Sequence, residues 1–166
     1  METLKKLYCD VDNTVNHSWK RIRRWTKDGV CDFSKAHTRE EVMKDEVLSG
    51  AKEALEKLSE RYEIIFLTAR SYKDAYNITK DWLDDQGFNY SSIIVVKNPM
   101  EKLAYIKESD CLFIDDLSRR HEVSPPYKVL YWDVIRELNR YNVDYELFND
   151  NWEEIVERRI INKSNE

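Results

Sequence analysis

The chain has 166 residues, of which 36% are charged and 12% aromatic, and its formal net charge at pH 7 is −5. Such a length and composition indicate one folded domain over residues 1–166 and exclude a disordered or low-complexity chain. The apolar runs fall far short of the ~20 residues that a membrane-spanning helix needs. The N-terminal residues lack the apolar region of a signal peptide, so we expect a cytoplasmic protein that does not enter a membrane.

Five short apolar runs, separated by more polar stretches, predict the strands of one sheet. Each run is continuously apolar rather than alternating, which is typical of parallel strands covered by helices on both faces. The runs lie at residues 7–9, 64–67, 93–96, 111–114 and 129–132.

The segments between these runs carry helix signals. Helices are predicted after Gly50, from Ser71 to a terminating Gly87, after Asn98 and Pro99, and near the C-terminus after Asp150. Strands and helices therefore alternate. Because crossover connections are right-handed, this order predicts a doubly wound, Rossmann-like parallel α/β sheet with strand order 3-2-1-4-5.

The connection between the first strand and the helix after Gly50 is longer than a simple crossover requires. We therefore predict a small, helical insertion at about residues 16–48. Val15, Trp19, Ile22 and Trp25 recur at helical spacing, and we interpret this apolar stripe as core rather than as a binding platform. The basic residues between them, in the run 20–24, are predicted to face away from the core.

Polar residues follow three of the predicted strands directly. Asp10 and Asp12 follow the first strand, Thr68 follows the second, and Asp115 and Asp116 follow the fourth. These strands are neighbours in the predicted order, and ligands bind at the carboxyl ends of parallel strands, so the polar groups should converge. Asp10, Asp115 and Asp116 would repel one another, which favours a hard divalent cation with oxygen ligands.

This arrangement suits phosphoryl transfer. Asp10 can act as a nucleophile and a Mg²⁺ ligand, and Asp12 can donate and abstract protons. Lys102, near the start of the helix that precedes the fourth strand, can hold a phosphoryl group against Asp10 together with the Thr68 hydroxyl.

The order of these residues resembles that of the haloacid dehalogenase (HAD) superfamily of phosphohydrolases. Residues 10–14 (Asp-Val-Asp-Asn-Thr) match its DxDxT motif, Thr68 matches the threonine or serine of its second motif, and Asp115-Asp116 match its acidic fourth motif. Asn13 stands where glycine is commoner. The resemblance extends over roughly residues 4–132.

The lysine of the third motif has three candidates, Lys97, Lys102 and Lys107. We prefer Lys102 because it falls in the first turn of the predicted helix, where the lysines of this superfamily usually project into the site.

The resemblance implies a two-step reaction through an aspartyl-phosphate. Asp10 attacks phosphorus, while Asp12 protonates the leaving group and then activates water. Mg²⁺ is the implied cofactor, held by the Asp10 and Asp115 carboxylates and the Asp12 backbone carbonyl, with Asp116 in a supporting position.

Substrate contacts follow from the same resemblance. Thr68 and Lys102 stabilise charge on the transferring group, and Thr14, Ala69 and Arg70 are predicted to bind the substrate. The insertion occupies the position of a C1 cap, and its Trp25, Phe33 and His37 are candidates for stacking on a base.

Three functions are compatible with this pattern. The first is a Mg²⁺-dependent phosphatase for a small phosphate ester, with a 5′-nucleotide as one candidate, since the motifs resemble the deoxyribonucleotidase branch. The second is a polynucleotide 3′-phosphatase, indicated by the basic run 20–24 but disfavoured by the net charge of −5. The third is a binding or regulatory protein that keeps the fold without turnover. The sequence does not determine the substrate, the oligomeric state or whether the insertion closes over the site.

Overall fold

The protein is described by a computed structural model that covers residues 3–107, 109–117 and 125–161. Its strands are β1 (Lys5–Cys9), β2 (Thr26–Lys27), β3 (Val30–Cys31), β4 (Tyr62–Ala69), β5 (Ser92–Val96), β6 (Cys111–Asp115) and β7 (Asp144–Leu147). Its α-helices are α1 (Ser18–Arg24), α2 (Phe33–Ala36), α3 (Arg39–Val42), α4 (Ala51–Leu58), α5 (Ala75–Asp85), α6 (Leu103–Ile106), α7 (Pro125–Arg140) and α8 (Trp152–Val156). A 3₁₀ turn (Pro99–Lys102) precedes α6, and a π-helical turn (Glu157–Ile161) follows α8.

Five strands form one parallel sheet in the order β5-β4-β1-β6-β7. Counted along the chain within this sheet, that order is 3-2-1-4-5, so the predicted α/β fold is confirmed. The register places Cys9 of β1 opposite Phe66 of β4 and Ile114 of β6. The residues that follow Cys9 and Ile114, and those near the end of β4, therefore lie at one edge of the sheet.

Both faces of the sheet are covered by apolar layers. Leu7 and Cys9 of β1 pack in one layer, together with Trp82 of α5 and Trp152 of α8. Tyr8, between them in sequence, packs in the opposite layer, which also contains residues of α6 and α7. Strand residues that are buried on both faces account for the continuous apolar runs in the sequence.

The prediction of a fifth strand at residues 129–132 was wrong, because these residues lie within α7. Short apolar runs occur in buried helices as well as in strands. Val134 and Leu138, four residues apart, are both buried and continue the pattern at helical spacing. The fifth strand is instead β7, an edge strand with the polar sequence Asp-Tyr-Glu-Leu, in which Glu146 forms ion pairs with Arg158 and Arg159.

Several predicted helix ends are correct, and others shift by one to four residues. The Asn98 side chain accepts a hydrogen bond from the Glu101 backbone N–H, as expected of a helix cap. Gly87 follows α5 with a φ of 79°, which suits its predicted role as a terminator. However, α5 begins at Ala75 rather than at Ser71, and α8 is capped by Asn151 rather than by Asp150.

The insertion at residues 16–48 contains α1, α2, α3 and a hairpin, so it is not purely helical. The hairpin joins β2 to β3 through Asp28 and Gly29, which both have positive φ, as the common two-residue hairpin turn requires. Ile22, Cys31 and Ala36 form a small separate core, against which Trp19 and Trp25 of the predicted stripe pack. In the described part of the chain, no helix has the length and apolar character to span a membrane.

Candidate active site

The centre of the site is a buried lysine between two buried carboxylates. Asp10 directly follows β1 and Asp115 ends β6, which brings both side chains to the carboxyl edge of the sheet. Lys102, from the 3₁₀ turn, donates hydrogen bonds to Asp10 Oδ1 at 2.9 Å and to Asp115 Oδ2 at 2.7 Å. Of the three candidate lysines, Lys102 is thus beside Asp10, whereas Lys97 is exposed and Lys107 lies over a tyrosine ring.

Thr14 fixes the other side of the Asp10 carboxylate. Its hydroxyl donates to Asp10 Oδ2 at 3.0 Å and accepts from the Asp116 backbone N–H at 3.1 Å. The Leu117 backbone N–H donates to Asp115 Oδ1 at 2.8 Å. The hydroxyl of Thr14, predicted to bind substrate, is therefore engaged by protein groups and orients Asp10.

Asp10, Asp115 and Asp116 form a compact acidic cluster. One carboxylate oxygen of each lies within 4.8 Å of the others, and all three residues are buried. Burial and the Asp115 carboxylate raise the pKa of Asp10 to about 7, although Lys102 acts in the opposite direction. The three carboxylates together carry more negative charge than one lysine neutralises, and they offer the hard oxygen ligands that suit a Mg²⁺ ion. A bound Mg²⁺ would favour the ionised form of Asp10.

The Asp12 side chain is paired with an arginine. Arg70 donates through Nε to Asp12 Oδ2 at 3.0 Å and through Nη2 to Oδ1 at 2.9 Å, a two-point ion pair. Its Nη1 donates to Thr79 of α5 at 2.8 Å. Burial alone would raise the pKa of Asp12, but the Arg70 guanidinium holds it well below its usual range. Arg70 was predicted to bind substrate, and here it binds Asp12.

A second arginine, Arg21, was missed by the sequence analysis. It lies in the basic run that was predicted to face away from the core, yet it is only 2% exposed. Arg21 donates to both carboxylate oxygens of Asp45, at 3.0 and 3.1 Å, and to the Ala36 carbonyl at 2.9 Å. Its Nη2 also lies 3.6 Å from Asp12 Oδ1. Arg21 was missed because hydrophobic periodicity assigns arginine to the surface, and because its partner Asp45 lies 24 residues further along the chain.

Two other basic residues of the same run also pair with acids. Lys20 lies 3.0 Å from Glu46, and Arg24 lies 2.8 Å from Glu41. The positive charge of Lys20, Arg21 and Arg24 is therefore largely compensated by acidic side chains of the segment 41–46.

A stack of rings connects the insertion to the loop after β4. His37 lies between Phe33 and Tyr72, with ring centroids 5.3 and 4.6 Å away and interplanar angles of 19° and 14°. Its Nδ1 accepts a hydrogen bond from Arg21 Nη1 at 2.9 Å, and burial together with this guanidinium lowers the pKa of His37 to about 4. Both faces of His37 are thus covered by protein rings, and Trp25 packs in the small core of the insertion.

Thr68 and Ala69 are the last two residues of β4. Thr68 is fully buried, and its hydroxyl has no hydrogen-bond partner among the residues that the structure describes. Buried hydroxyls rarely lack a partner. An unpaired donor at the sheet edge that also carries Asp10 is a candidate ligand contact, whereas Ala69 offers only its backbone.

The fold is similar to that of known hydrolases. The haloacid dehalogenase-like family protein SP0104 from Streptococcus pneumoniae is 10% identical, with a TM-score of 0.57 over 87% of this chain and 94% of that chain. A chain of the Pnkp1/Rnl/Hen1 RNA repair complex is 17% identical, with a TM-score of 0.52 over 88% of this chain and 42% of that chain.

No protein-family profile and no curated protein sequence matches the chain. Neither of the two similar structures is described as a deoxyribonucleotidase, so these comparisons give that branch no support. At such low identity the similarity establishes the fold. The chain has the Rossmann-like α/β fold of the HAD-like hydrolases.

Proposed function

We propose that the protein is a Mg²⁺-dependent phosphatase of the HAD superfamily that hydrolyses a small phosphate ester through an aspartyl-phosphate. The observation that carries the proposal is the position of Lys102 between Asp10 and Asp115, at 2.9 and 2.7 Å, on the carboxyl edge of the sheet. The similarity in fold to HAD-like hydrolases supports it.

Asp10 is the proposed nucleophile. Its two oxygens accept one hydrogen bond each, from Lys102 and Thr14, so the plane of the carboxylate is fixed. Attack forms an Asp10 O–P bond as the P–O bond to the leaving group breaks, and the leaving alkoxide takes up a proton. Water then attacks phosphorus and loses a proton, which releases inorganic phosphate and restores the Asp10 carboxylate.

The transferring group needs donors and positive charge around it. The proposed protein contacts for its oxygens are the Lys102 ammonium and the Thr68 hydroxyl, which has no partner among the residues described. Mg²⁺, held by the Asp10, Asp115 and Asp116 carboxylates and the Asp12 backbone carbonyl, would neutralise charge on the phosphate and on these carboxylates.

Asp12 is the proposed proton donor to the leaving group and proton acceptor from water. Arg70 occupies both of its oxygens and keeps the carboxylate ionised. During turnover one of these hydrogen bonds must therefore be exchanged for a substrate or water oxygen, and Asp12 must take up a proton from solvent before it can protonate the leaving group. Arg70 then acts as the residue that positions Asp12.

A polynucleotide 3′-phosphatase is the second candidate. The similarity to a chain of an RNA repair complex favours it, although that similarity concerns the fold. The ion pairs of Lys20, Arg21 and Arg24 count against it, because they compensate much of the charge that would attract a nucleic acid backbone.

One phosphatase screen tests the proposal. Wild-type protein and Asp10→Asn would be incubated with Mg²⁺ and 5′-mononucleotides, sugar phosphates, phenyl phosphate or a 3′-phosphorylated oligonucleotide. We expect phosphate release from small esters by the wild type alone. Preferential, salt-sensitive release from the oligonucleotide would favour the second candidate. Absence of hydrolysis of every ester would contradict the proposal and leave a binding protein on the same fold.

A further inference from the structure

The hydroxyl group of Tyr72 is buried, yet it has no hydrogen-bond partner within the described residues. Tyr72 lies in the loop after β4, two residues beyond Arg70 and four beyond Thr68. A hydroxyl that loses its water on folding and gains no partner destabilises the protein, so such groups are rare. One that lies beside a candidate active site points to a ligand.

The ring that carries this hydroxyl is held firmly. One contact is the stack on His37, with centroids 4.6 Å apart, and the Arg70 guanidinium carbon lies 5.9 Å from the ring centroid. His37 is itself held by Phe33 and by the hydrogen bond from Arg21. The direction of the Tyr72 hydroxyl is therefore set before any ligand binds, which reduces the entropy lost on binding.

Two contacts of Arg70 show on which side of the site Tyr72 lies: its guanidinium lies 5.9 Å from the Tyr72 ring centroid and also binds Asp12. Burial raises the pKa of Tyr72 to about 12, and the charges that act on it next are those of Arg70, Asp12, Arg21 and Asp45. The hydroxyl thus stays protonated at neutral pH and can donate. It lies on the Asp12 side of the site, and Asp12 is the proposed proton donor to the leaving group.

We propose that Tyr72 determines specificity by donating a hydrogen bond to an oxygen of the leaving alcohol, carried on the second or third carbon from the ester oxygen. The inference rests on the proposed phosphatase function. It assigns the substrate class: phosphate esters of polyhydroxylated alcohols, such as sugar and nucleoside phosphates, rather than plain alkyl or aryl phosphates. A leaving group without such an oxygen would keep the buried hydroxyl unpaired, which is an effective way to discriminate against a substrate.

Glycerol 3-phosphate and propyl phosphate form a matched pair for the test, because they share a three-carbon chain and differ only in hydroxyl groups. We expect wild-type kcat/KM to favour glycerol 3-phosphate at least about tenfold. Tyr72→Phe removes the hydroxyl and keeps the ring stack. It should reduce the preference to about twofold or less, by lowering kcat/KM for glycerol 3-phosphate while that for propyl phosphate stays unchanged.

Tyr76→Phe, at an exposed tyrosine of α5, is the matched control and should keep the wild-type preference. The melting temperature of Tyr72→Phe should equal or exceed that of the wild type, since no partner among the described residues loses a hydrogen bond. A lower melting temperature with an unchanged preference would show that the hydroxyl is bonded within the protein and would overturn the inference. Three other results would also overturn the inference. The wild type could show no preference between the two esters, or it could hydrolyse phenyl phosphate but neither of them. Tyr72→Phe could also lose activity equally on both esters. Absence of hydrolysis of any ester by the wild type would instead overturn the proposed function, and the inference with it.

Discussion

Asp10 offers the sharpest test of the proposed chemistry at the scale of one residue. Asp10→Asn keeps the side-chain volume and the possibility of hydrogen bonds to Lys102 and Thr14, but an amide is not a comparable nucleophile. We expect at least about a 10³-fold loss of kcat with a cooperative thermal transition retained. Phosphate release and a melting curve measure the two effects. The control is Asp85→Asn, at an exposed aspartate that ends α5, which should retain activity. Near-wild-type turnover in Asp10→Asn would refute the covalent mechanism.

Asp45 and Glu46 are adjacent in sequence but differ in burial. Asp45 pairs with buried Arg21, whereas Glu46 pairs with Lys20 on the surface. Asp45→Asn removes the anion closest to the buried Arg21 and leaves Asp12, 3.6 Å away, as its nearest remaining carboxylate, so we expect a loss of about 3 kcal/mol in the free energy of unfolding. Glu46→Gln should have little effect, because solvent screens the surface pair. Chemical denaturation measures both, and equal shifts in midpoint would argue against a structural role for the Arg21–Asp45 pair.

At the scale of elements, two sets of side-chain contacts stand out among those that join the insertion to the sheet domain. The first is the stack of Phe33, His37 and Tyr72, which joins α2 to the loop after β4. The second consists of ion pairs from Arg39 of α3 to Asp74 and to Asp81 of α5. The aromatic contacts are the more buried of the two, so they should contribute more to holding the insertion in place.

His37 makes this connection sensitive to pH. Its pKa in the folded protein is about 4, below the usual value of about 6.5, because of burial and the Arg21 charge. The other charges that act on it are those of Asp12 and Arg70. Well above pH 6.5 the imidazole is neutral in both states, and its contribution to stability is complete. Between pH 6.5 and 4 the unfolded chain binds the proton and the folded protein does not, so the free energy of unfolding falls.

His37→Gln isolates this effect, since glutamine can accept the hydrogen bond from Arg21 but does not titrate. The free energy of unfolding of the wild type should decrease by about 2–3 kcal/mol more than that of His37→Gln between pH 7 and 4. Urea titrations at several pH values measure the difference. Parallel pH profiles for the two proteins would contradict a lowered pKa.

At the scale of the whole molecule, the charges of the sheet edge predict a need for metal. A phosphate dianion would approach a cluster of three buried carboxylates with one lysine beside it. We expect activity to require Mg²⁺ and to vanish in excess EDTA, and Ca²⁺ to substitute poorly because its coordination is larger and looser. Mg²⁺ should also raise the melting temperature of the wild type, and less so that of Asp116→Asn. Full activity in EDTA would rule out the metal requirement.

Local patterns in the sequence were sufficient to predict four strands, the strand order and the convergence of Asp10 with Asp115 and Lys102. These features depend on short apolar runs and on residues directly next to them, and the rules of parallel sheets then bring the strand ends together. The fifth strand was mispredicted because the run 129–132 is equally compatible with a buried helix, and because β7 is an edge strand without an apolar run.

The sequence by itself thus determined the class of fold and the residues at its carboxyl edge. Only the tertiary structure decided which charged side chains are buried and with which partners. Arg21 has the same local context as its exposed neighbour Arg23, yet it meets Asp45, 24 residues away, beside Asp12. Such a pairing depends on the path of the insertion over the sheet. Side-chain periodicity reports which face of a helix is apolar and carries no information about distant partners of a charge.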